Sequence, residues 1–304
     1  LLLLPRLEWR RLGGSATLRL ALSSETSLCD DARAAREFLD SLVAKQAQPA
    51  AMPSLLSEQH FPAYPQWQAL ITQATQAIAA GEMDKVVLAR ATDLHFAAPL
   101  NAGSIMAASR RSNLNCFHFL MAFNPREAFV GSTPERLWRR RGALLRTEAL
   151  AGTVAGHADD RQAQRLGNWL MGDDKNQREN MLVVEDICQR MQGETRALEV
   201  LPPQIVRLRK VQHLRRCIWA ELDNPDDARC LHLLQPTAAV AGLPRQVALD
   251  FISRHELFTR GWYAGSAGYL SLAQSEFCVS LRSAKIEQRT LRLYAGAGIV
   301  SGSD

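Results

Sequence analysis

The chain has 304 residues, a net charge of +5 and a pI near 9.0. Hydrophobic residues make up 47% and charged residues 22%, a balance that is typical of packed globular proteins and excludes an intrinsically disordered chain. No apolar run in the sequence approaches the roughly 18 residues of a membrane-spanning helix, so we expect no membrane association. A chain of this length forms one large domain or two ordinary ones.

Both ends of the sequence resemble interior positions of a longer protein. The chain begins at Leu1 without a methionine, and Leu1–Leu4 is too short for the apolar core of a signal peptide. It stops at Asp304, directly after a glycine-rich segment. We therefore expect that further segments of the protein precede residue 1 and follow residue 304.

The six cysteines show neither a CxxC pattern nor the spacing of metal ligands. Most of them have apolar neighbours, which predicts free buried thiols rather than disulfides or a zinc site. Free thiols are typical of a reducing compartment, so the sequence predicts a cytoplasmic protein. The six positions are Cys29, Cys116, Cys188, Cys217, Cys230 and Cys278.

Basic residues concentrate in two segments, Arg139–Arg141 and 206–216. No zinc finger, helix-turn-helix or RNP pattern accompanies them. We interpret both segments as solvated faces and expect no nucleic-acid partner. A nucleic-acid-binding module that uses the 206–216 segment is the alternative from another functional class.

The first predicted elements form a β-hairpin. Its strands are Leu1–Trp9 and Ala16–Leu22, and they turn at Gly13-Gly14. A helix is predicted from Asp30 to Lys45, and a linker that contains prolines is predicted to continue to Gln66.

An amphipathic helix follows the linker. It is expected to begin after Pro65 and to end at Gly81. Its apolar residues recur at helical spacing: Trp67, Leu70, Ile71, Ala74 and Ile78. The helix leads directly into a β-branched strand, Lys85–Arg90.

The rest of the chain alternates between groups of strands and long helices. A meander is predicted from the strands Phe117–Phe123, Ala128–Gly131, Arg136–Arg140 and Leu144–Thr147. A helical stretch covers Asp159–Gln192, and strands are predicted at Ile205–Val211 and Tyr263–Ser271. Antiparallel strands separated by long helices predict an α+β fold.

The end of the chain contains an arginine beside a glycine motif. The run 277–286 alternates as a strand does and includes Arg282, and a second β-rich run ends with Gly296 and Gly298. If these runs form adjacent strands, a guanidinium lies beside backbone N–H groups with no side chains in the way, which suits a small carboxylate. Taken alone, the pattern favours a hairpin whose glycines serve tight packing, because short glycine motifs are weak evidence for a binding site.

Four further residues have side chains suited to catalysis or binding. Lys85 opens an apolar strand, where burial favours the neutral amine that a general base needs. Glu135 occupies a turn between two predicted strands, which can aim its carboxylate into a site. Glu179 shares a helix face with Asn176, Val183 and Asp186, and its carboxylate suits Mg²⁺. His213 follows a predicted strand.

Each of these residues also has an ordinary structural interpretation. A lysine at the end of a strand commonly extends its amine to solvent. The turn glutamate could pair with Arg136, and Glu179 could pair with Lys175 one helical turn away. An isolated histidine is usually a satisfied structural residue.

Seven motifs occur in one order along the chain, and as a set they are highly specific. They read Lys-Val-Val-Leu-Ala-Arg, Gly-Ser-Thr-Pro-Glu-Arg-Leu, Glu-Ala-Leu-Ala-Gly-Thr, Glu-Asn-Met-Leu-Val-Val-Glu-Asp, Val-Gln-His-Leu, Gln-Pro-Thr-Ala-Ala-Val-Ala-Gly-Leu-Pro and Ala-Gly-Ala-Gly-Ile-Val. This series resembles the chorismate-utilising enzymes. The resemblance covers residues 65–304, and the residues of the motifs are most similar to those of the isochorismate synthases of the menaquinone pathway.

The resemblance implies a fold and a division into segments. The fold is α+β, with two stacked, mainly antiparallel sheets flanked by helices. Residues 1–64 belong to a variable N-terminal part whose beginning is absent, and 65–304 form the chorismate-binding catalytic domain. The two segments are expected to form one compact structural unit.

The resemblance also implies a reaction and roles for the candidate residues. The reaction is the reversible, Mg²⁺-dependent conversion of chorismate to isochorismate, by water addition at C2 and loss of the C4 hydroxyl. Lys85 matches the base that activates water, and Glu135 matches the acid that protonates the leaving hydroxyl. Glu179 matches a metal ligand. The residues that match the substrate pocket are Gly152, Thr153, His213, Tyr263, Arg282, Gly296 and Gly298.

Two departures from the family pattern and one alternative activity accompany the resemblance. Asn176 stands where the family has the first of two paired helix glutamates. The family's second Mg²⁺ carboxylate is expected on a helix beyond Asp304. A basic residue at Lys85 favours water over ammonia as nucleophile, which separates the chain from the amine-adding relatives. A salicylate synthase, which adds pyruvate elimination to the same first step, is the alternative within the family.

Overall fold

A computed structural model describes residues 1–42 and 51–303. The chain divides into two compact units, Leu1–Pro49 and Ala50–Asp304. None of the helices in the described part of the chain is long and apolar enough to cross a membrane.

The first unit contains the predicted hairpin and one helix. Strands β1 (Leu7–Leu12) and β2 (Ser15–Leu20) pair antiparallel, and Gly13 adopts the positive φ of +59° that the turn requires. The hairpin is confirmed, with shorter strands than expected. Helix α1 (Leu28–Ser41) begins earlier than predicted, where Ser27 accepts a hydrogen bond from the Asp30 amide. The predicted end at Lys45 lies outside the described residues.

The second unit contains fourteen strands and six helices within its described residues. In chain order they are β3 (Leu55–Phe61), α2 (Tyr64–Ala79), β4 (Lys85–Phe96), α3 (Ala102–Ser112), β5 (Phe117–Asn124), β6 (Glu127–Thr133), β7 (Arg136–Arg141), β8 (Leu144–Ala155), α4 (Asp160–Gly172), α5 (Asp174–Met191), β9 (Thr195–Val200), β10 (Gln204–Arg207), β11 (Val211–Leu222), α6 (Asp227–Leu234), β12 (Gly242–Leu243), α7 (Arg245–His255), β13 (Ser266–Leu270), β14 (Gln274–Val279), β15 (Ser283–Glu287) and β16 (Thr290–Val300).

These strands form two seven-stranded sheets. The first sheet has the order β12-β4-β16-β15-β6-β5, with β3 also paired to β4. The second has the order β10-β11-β8-β7-β14-β13, with β9 also paired to β11. Every pairing in both sheets is antiparallel. The α+β class and the two antiparallel sheets with helices are as the sequence predicted.

Each sheet is covered by helices that bury an apolar face. Helix α2 is confirmed, and its Leu70 and Ala74 pack with α7 against Val86 and Leu88 of β4. Helix α5 covers the second sheet with an apolar stripe that includes Val183 and Ile187. The start of β4, at Lys85, and the middle of α5 are therefore each fixed by a packed hydrophobic core.

Four predicted element boundaries are wrong. The linker to Gln66 contains the edge strand β3, whose residues are mostly exposed and show no buried alternation. The helical stretch Asp159–Gln192 is two helices, because Asp173 leaves the helical conformation and caps α5 by accepting from the Asn176 amide. The strand predicted at Ile205–Val211 ends at Arg207, and β11 begins at Val211 after a turn.

The fourth wrong boundary concerns the run 277–286. It is not one strand, because β14 ends at Val279 in the second sheet and β15 begins at Ser283 in the first. The chain crosses between the sheets at 280–282, where the Ser280 hydroxyl donates to the Trp262 carbonyl at 2.6 Å. Arg282 therefore lies at the crossing between the two sheets rather than within a strand.

The cysteines and the basic segments have ordinary structural roles. All six cysteines are free, and Cys217, Cys230 and Cys278 are buried. The interpretation of the basic segments as solvated faces is wrong in part. Arg140 is buried against Asp227 at 2.6 Å, and Arg216 donates to side chains of α5. These guanidinium groups hold the fold together.

Candidate active site

Lys85 and Glu179 form an ion pair between the first sheet and helix α5. Lys85 is the first residue of β4 and pairs in register with Leu243 of β12 and Val300 of β16. Its side chain is 1% exposed, and its Nζ donates to the Glu179 Oε1 at 3.2 Å. The Glu179 side chain is 17% exposed, so one face of its carboxylate remains open to a ligand. The structure thus brings the predicted base and the predicted metal ligand together.

Gly298 permits this approach because it has no side chain. It pairs with Val87, two positions before the β4–β16 ladder ends at the Val300–Lys85 pair. A Cβ at Gly298 would lie 2.5 Å from the Glu179 Oε1 and 3.5 Å from the Lys85 Cε. Any larger residue at this position would displace the carboxylate.

Glu135 lies in the connection between β6 and β7, which belong to different sheets. Its side chain is buried, and burial, followed by the nearby charge of Glu148, raises the pKa of the Glu135 carboxyl from 4.5 to about 8. The neighbouring Lys85 ammonium acts in the opposite direction. Glu135 therefore carries its proton at neutral pH, as a general acid must.

The carboxyl group of Glu135 is not engaged by its neighbours. Within residues 1–42 and 51–303, no side chain or backbone group hydrogen-bonds to it. The pairing with Arg136 considered from the sequence is absent from this region. The Arg136 guanidinium lies 3.1 Å from Glu276 and 3.6 Å from Glu148 instead. The hydrogen-bonding capacity of the Glu135 carboxyl is therefore not used by the described residues.

Tyr263 and Gly296 meet beside this acid. The Tyr263 ring stacks on Tyr294 with 4.8 Å between centroids, and a Cβ at Gly296 would lie 2.7 Å from the Tyr263 hydroxyl oxygen. Burial, opposed by the charge of Arg260 and aided by those of Glu256 and Glu135, raises the pKa of Tyr263 to about 12. Tyr263 therefore keeps its phenolic proton and can donate a hydrogen bond to an anion.

His213 connects Thr153 to Arg282. The Arg282 Nη2 donates to the His213 Nε2 at 2.6 Å, because a guanidinium has no acceptor. The His213 Nδ1 must then carry the proton, and it donates to the Thr153 Oγ1 at 2.9 Å. Burial, followed by the charge of Arg282, lowers the pKa of His213 to about 4. His213 is consequently a neutral imidazole, and it lies within β11 rather than after a strand.

Gly152 and Asn176 fix the position of Thr153. Gly152 has a φ of +85°, and a Cβ there would lie 3.2 Å from the Asn176 side chain. The Asn176 amide oxygen accepts from the Thr153 backbone amide at 3.2 Å, and its nitrogen donates to Asp173 at 2.6 Å. The asparagine at the position of the family's glutamate therefore links β8 to the start of α5.

Asp186, which was predicted on the same helix face as Glu179, has a structural role. It forms an ion pair with Arg190 at 2.7 Å and accepts from the Ala238 amide at 3.1 Å. Within the described part of the chain, no group of three or more His, Cys, Asp or Glu residues could hold a metal ion. Glu179 is the metal-ligand candidate that the site contains.

Sequence reasoning missed Glu148. It lies on β8 and is 3% exposed. It accepts a hydrogen bond at 2.9 Å from the backbone amide of Arg136, the residue that follows Glu135. The available signal was its place as the first residue of the Glu-Ala-Leu-Ala-Gly-Thr motif. Only the fold reveals that this carboxylate lies beside Glu135.

The fold is that of the chorismate-utilising enzymes. The structure of anthranilate synthase component I from Streptococcus pneumoniae matches 95% of this chain and 66% of its own with a TM-score of 0.80, at 21% sequence identity. At that identity the likeness concerns the fold alone. The structure of the menaquinone-specific isochorismate synthase from Escherichia coli matches with a TM-score of 0.96 at 69% identity, over 99% of this chain and 71% of that one.

The chain belongs to the family of chorismate binding enzymes, whose pattern it matches over residues 1–304. The isochorismate synthase MenF of Escherichia coli is 69% identical over 303 residues, which is 100% of this chain and 70% of that protein. The isochorismate synthase MenF of Haemophilus influenzae is 47% identical over 238 residues, which is 78% of this chain and 55% of that protein.

Proposed function

We propose that this chain carries the catalytic machinery of an isochorismate synthase, which interconverts chorismate and isochorismate. The observation that carries the proposal is that a buried lysine, held by Glu179, lies within electrostatic reach of a buried, protonated glutamate, Glu135. The charge of Lys85 influences the Glu135 carboxyl directly, so the two groups lie close enough to act on one small substrate. The 69% identity to a named isochorismate synthase supports the same activity.

In the proposed reaction, Lys85 acts as the base and Glu135 as the acid. The Lys85 ammonium of the ion pair with Glu179 first gives up a proton, and the resulting amine takes a proton from a water molecule while the water oxygen forms a bond to C2 of chorismate. The ring double bonds shift, the C4–O bond breaks, and the leaving hydroxyl takes the Glu135 proton and departs as water. Lys85 ends as an ammonium and Glu135 as a carboxylate, and net transfer of one proton from Lys85 to Glu135 through water restores both groups. Each proton transfer contributes roughly 10²–10⁴ in rate.

Arg282 and Tyr263 are proposed to bind the enolpyruvyl carboxylate together with the amides near Gly296 and Gly298. The half-buried guanidinium of Arg282 is held by the neutral His213, which leaves its other N–H groups for a substrate anion. Thr153 and Gly152 are proposed to line the other side of the pocket through their contact with His213. The neutral state of His213 matters here, since a protonated imidazole could not accept the hydrogen bond that holds Arg282 and would repel its guanidinium.

We propose Mg²⁺ as the cofactor, with Glu179 as one ligand. The partly open Glu179 carboxylate fits an ion that takes few protein carboxylates and keeps several waters. When bound, Mg²⁺ would neutralise and orient the ring carboxylate of the substrate. The chain's own contribution is to hold the Glu179 oxygen in place, through Lys85 on one side and the bare backbone of Gly298 on the other.

We also propose which segment of the chain carries the activity and which pathway uses the product. All the side chains named lie between residues 85 and 298, so we assign catalysis to the 65–304 segment and not to residues 1–64. Menaquinone synthesis is the proposed destination of the product, because the E. coli structure with a TM-score of 0.96 is described as menaquinone-specific.

The test is to incubate the protein with chorismate and Mg²⁺ and to identify the product by chromatography. We expect isochorismate and no pyruvate. Pyruvate and salicylate would instead support a salicylate synthase, which completes an elimination after the same first step. Unchanged chorismate, together with salt-dependent retention on DNA, would favour a nucleic-acid-binding module and overturn the proposal.

A further inference from the structure

We propose that Glu148 is a positioning residue for the acid Glu135, which holds the turn that carries Glu135 and places a fixed negative charge beside its carboxyl group. The inference rests on the proposed function, because it concerns how the acid of that reaction is kept in its working state. Glu148 itself touches no reacting atom in this scheme.

One hydrogen bond and one ion pair tie Glu148 to the residue that follows Glu135. The Glu148 Oε1 accepts from the Arg136 backbone amide at 2.9 Å, and the Glu148 Oε2 lies 3.6 Å from the Arg136 Nη1. The Arg136 side chain is fixed in turn by Glu276 at 3.1 Å and by the Phe117 ring at 5.3 Å. Arg136 is thus held at both its backbone amide and its side chain. Because Glu135 precedes it directly in the chain, the backbone of Glu135 is held in place as well.

The charge of Glu148 is only partly compensated. Its Oε2 is buried and makes no hydrogen bond to the described residues. The nearest cations, Arg136 and Arg215, stand 3.6 and 3.9 Å from that oxygen, farther than a hydrogen-bonded pair. A buried carboxylate with loosely placed cations projects its negative charge toward its neighbours.

The groups that face Glu135 from the surrounding elements are few. Lys85 comes from β4 and favours ionisation of Glu135, while Glu148 comes from β8 and opposes it. Tyr263 and Cys278 also lie within electrostatic reach, and burial raises the pKa of each to about 12, so both are neutral at pH 7. Glu148 is therefore the anion among these groups, and it offsets the effect of Lys85.

The experiment compares the pH dependence of kcat in the wild type and in Glu148→Gln. The glutamine keeps an acceptor for the Arg136 amide but removes the charge, so Glu135 should ionise at lower pH. We expect the alkaline limb of the kcat profile to move down by roughly one pH unit, the lower end of the effect of a neighbouring like charge. Arg215→Gln should move the same limb in the opposite direction by a smaller amount.

Two further variants separate charge from position. Glu148→Asp keeps the charge but is too short to reach the Arg136 amide, so it should lower kcat and leave the alkaline limb in place. Asp227→Asn is the matched control, because it removes the carboxylate of another ion pair with a buried arginine, Arg140, and is far in sequence from Glu135. It should change thermal stability and leave the limb unmoved.

Infrared spectroscopy gives a measurement that does not depend on turnover. The protonated carboxyl band assigned to Glu135, by its loss in Glu135→Gln, should titrate at lower pH in Glu148→Gln than in the wild type. An unshifted band in folded Glu148→Gln and an unshifted limb in Arg215→Gln would overturn the role of Glu148. If the wild type makes no isochorismate, but its carboxyl band still titrates at higher pH than that of Glu148→Gln, only the proposed function is overturned.

Discussion

Lys85 and Glu179 are 94 positions apart in the sequence, and the Lys85 Nζ donates to the Glu179 Oε1 at 3.2 Å. Lys85 belongs to the first sheet, whereas Glu179 belongs to the helix that covers the second. A buried ammonium without a partner costs several kcal/mol, so this pair holds the two layers in register as well as serving the site. Its two members have different roles in the proposed reaction, and substitutions can separate them.

Replacement of Lys85 by glutamine should abolish water addition. The glutamine Nε2 can donate a hydrogen bond to the Glu179 carboxylate, as the ammonium does, but an amide does not take up a proton, so the contact survives while the base is lost. We expect isochorismate formation to fall by roughly 10²–10⁴-fold. Product formation is measured by chromatography, and folding by circular dichroism. Lys285→Gln, which removes a partly exposed lysine from a surface pair, should keep full activity.

Rescue by ammonia sharpens the assignment of Lys85. Ammonia needs no deprotonation before it attacks, so Lys85→Gln with added ammonium should give an aminated product even where water fails. Near-normal isochorismate formation by Lys85→Gln would show that another group activates the water.

Replacement of Glu135 by glutamine should preserve chorismate binding and remove turnover. The amide has nearly the same shape but cannot protonate the leaving hydroxyl, so kcat should fall by roughly 10²–10⁴-fold with little change in substrate affinity. In the wild type, kcat should decline as pH rises through about 8, where Glu135 loses its proton. Weakened binding with preserved turnover would make Glu135 a structural residue. Glu276→Gln, which removes a carboxylate from Arg136, is the control.

The raised pKa of Glu135 also predicts a pH dependence of stability. Below pH 4.5 the group is protonated in both folded and unfolded chains. Between pH 4.5 and about 8 the unfolded chain releases a proton that the folded chain keeps, so this group's contribution to the free energy of unfolding falls as pH rises. One pKa unit corresponds to about 1.4 kcal/mol, so the loss amounts to a few kcal/mol.

Glu135→Gln should remove this loss. Urea unfolding at several pH values is the measurement, and the variant should gain stability relative to the wild type from pH 4.5 to 8. A difference that stays constant over that interval would mean that Glu135 ionises at its usual pKa in the folded protein.

Replacement of Arg282 by alanine should raise KM more than it lowers kcat. A carboxylate contact that persists from the ground state to the transition state contributes mainly to binding. Loss of charge-assisted hydrogen bonds corresponds to a rise in KM of roughly 10–100-fold. Arg282→Lys should not restore affinity, because an ammonium lacks the planar fork that reaches both His213 and a carboxylate. Steady-state kinetics decides, with the exposed Arg289→Ala as control; an unchanged KM would exclude the role.

The sequence was sufficient for elements whose signal is local. The amphipathic face of α2 and the glycine turn of the first hairpin are written in consecutive residues, and both formed as predicted. The edge strand β3 was missed because its polar, exposed residues carry no alternation, and only its pairing with β4 makes it a strand. The helix break at Asp173 was missed because an aspartate within a helical pattern is also compatible with a continuous helix.

The site shows the same division between local and long-range information. Family motifs pointed to Lys85, Glu135 and Glu179, and the sequence alone left each with an ordinary alternative. The partner of Arg282 was unpredictable, since His213 meets it only because the chain crosses between sheets at 280–282. Glu148 was missed because its burial and its neighbours come from strands distant in sequence.

Replacement of Glu179 by glutamine should remove the response to Mg²⁺. The amide can still accept a hydrogen bond from Lys85 through its oxygen, so the fold is retained, but a neutral oxygen is a weaker ligand for a hard cation. We expect calorimetric titration with Mg²⁺ in the presence of chorismate to show at least tenfold weaker binding, as ligand-shell changes typically produce. Glu185→Gln, an exposed glutamate on the same helix, is the control. Full Mg²⁺-dependent turnover by Glu179→Gln would exclude the metal role.

Replacement of Gly298 by alanine should damage the site without straining the backbone. The residue lies in the β16 strand with no positive φ, so alanine is sterically acceptable to the main chain. Its Cβ would lie 2.5 Å from the Glu179 Oε1, which forces the carboxylate and the paired Lys85 ammonium to shift. A displacement of about 1 Å at catalytic groups can cost on the order of 10²-fold in rate, so kcat should fall by that amount.

The matched control for Gly298→Ala is Gly172→Ala. Gly172 is the last residue of α4, and a Cβ there meets nothing within 4 Å, so activity should be unchanged. Because Gly298→Ala displaces Glu179, its Mg²⁺ affinity should fall together with kcat, whereas Lys85→Gln should lower kcat and leave Mg²⁺ binding largely intact. A Gly298→Ala protein with wild-type kcat and Mg²⁺ affinity would show that the close approach of Glu179 to β16 is not needed for catalysis.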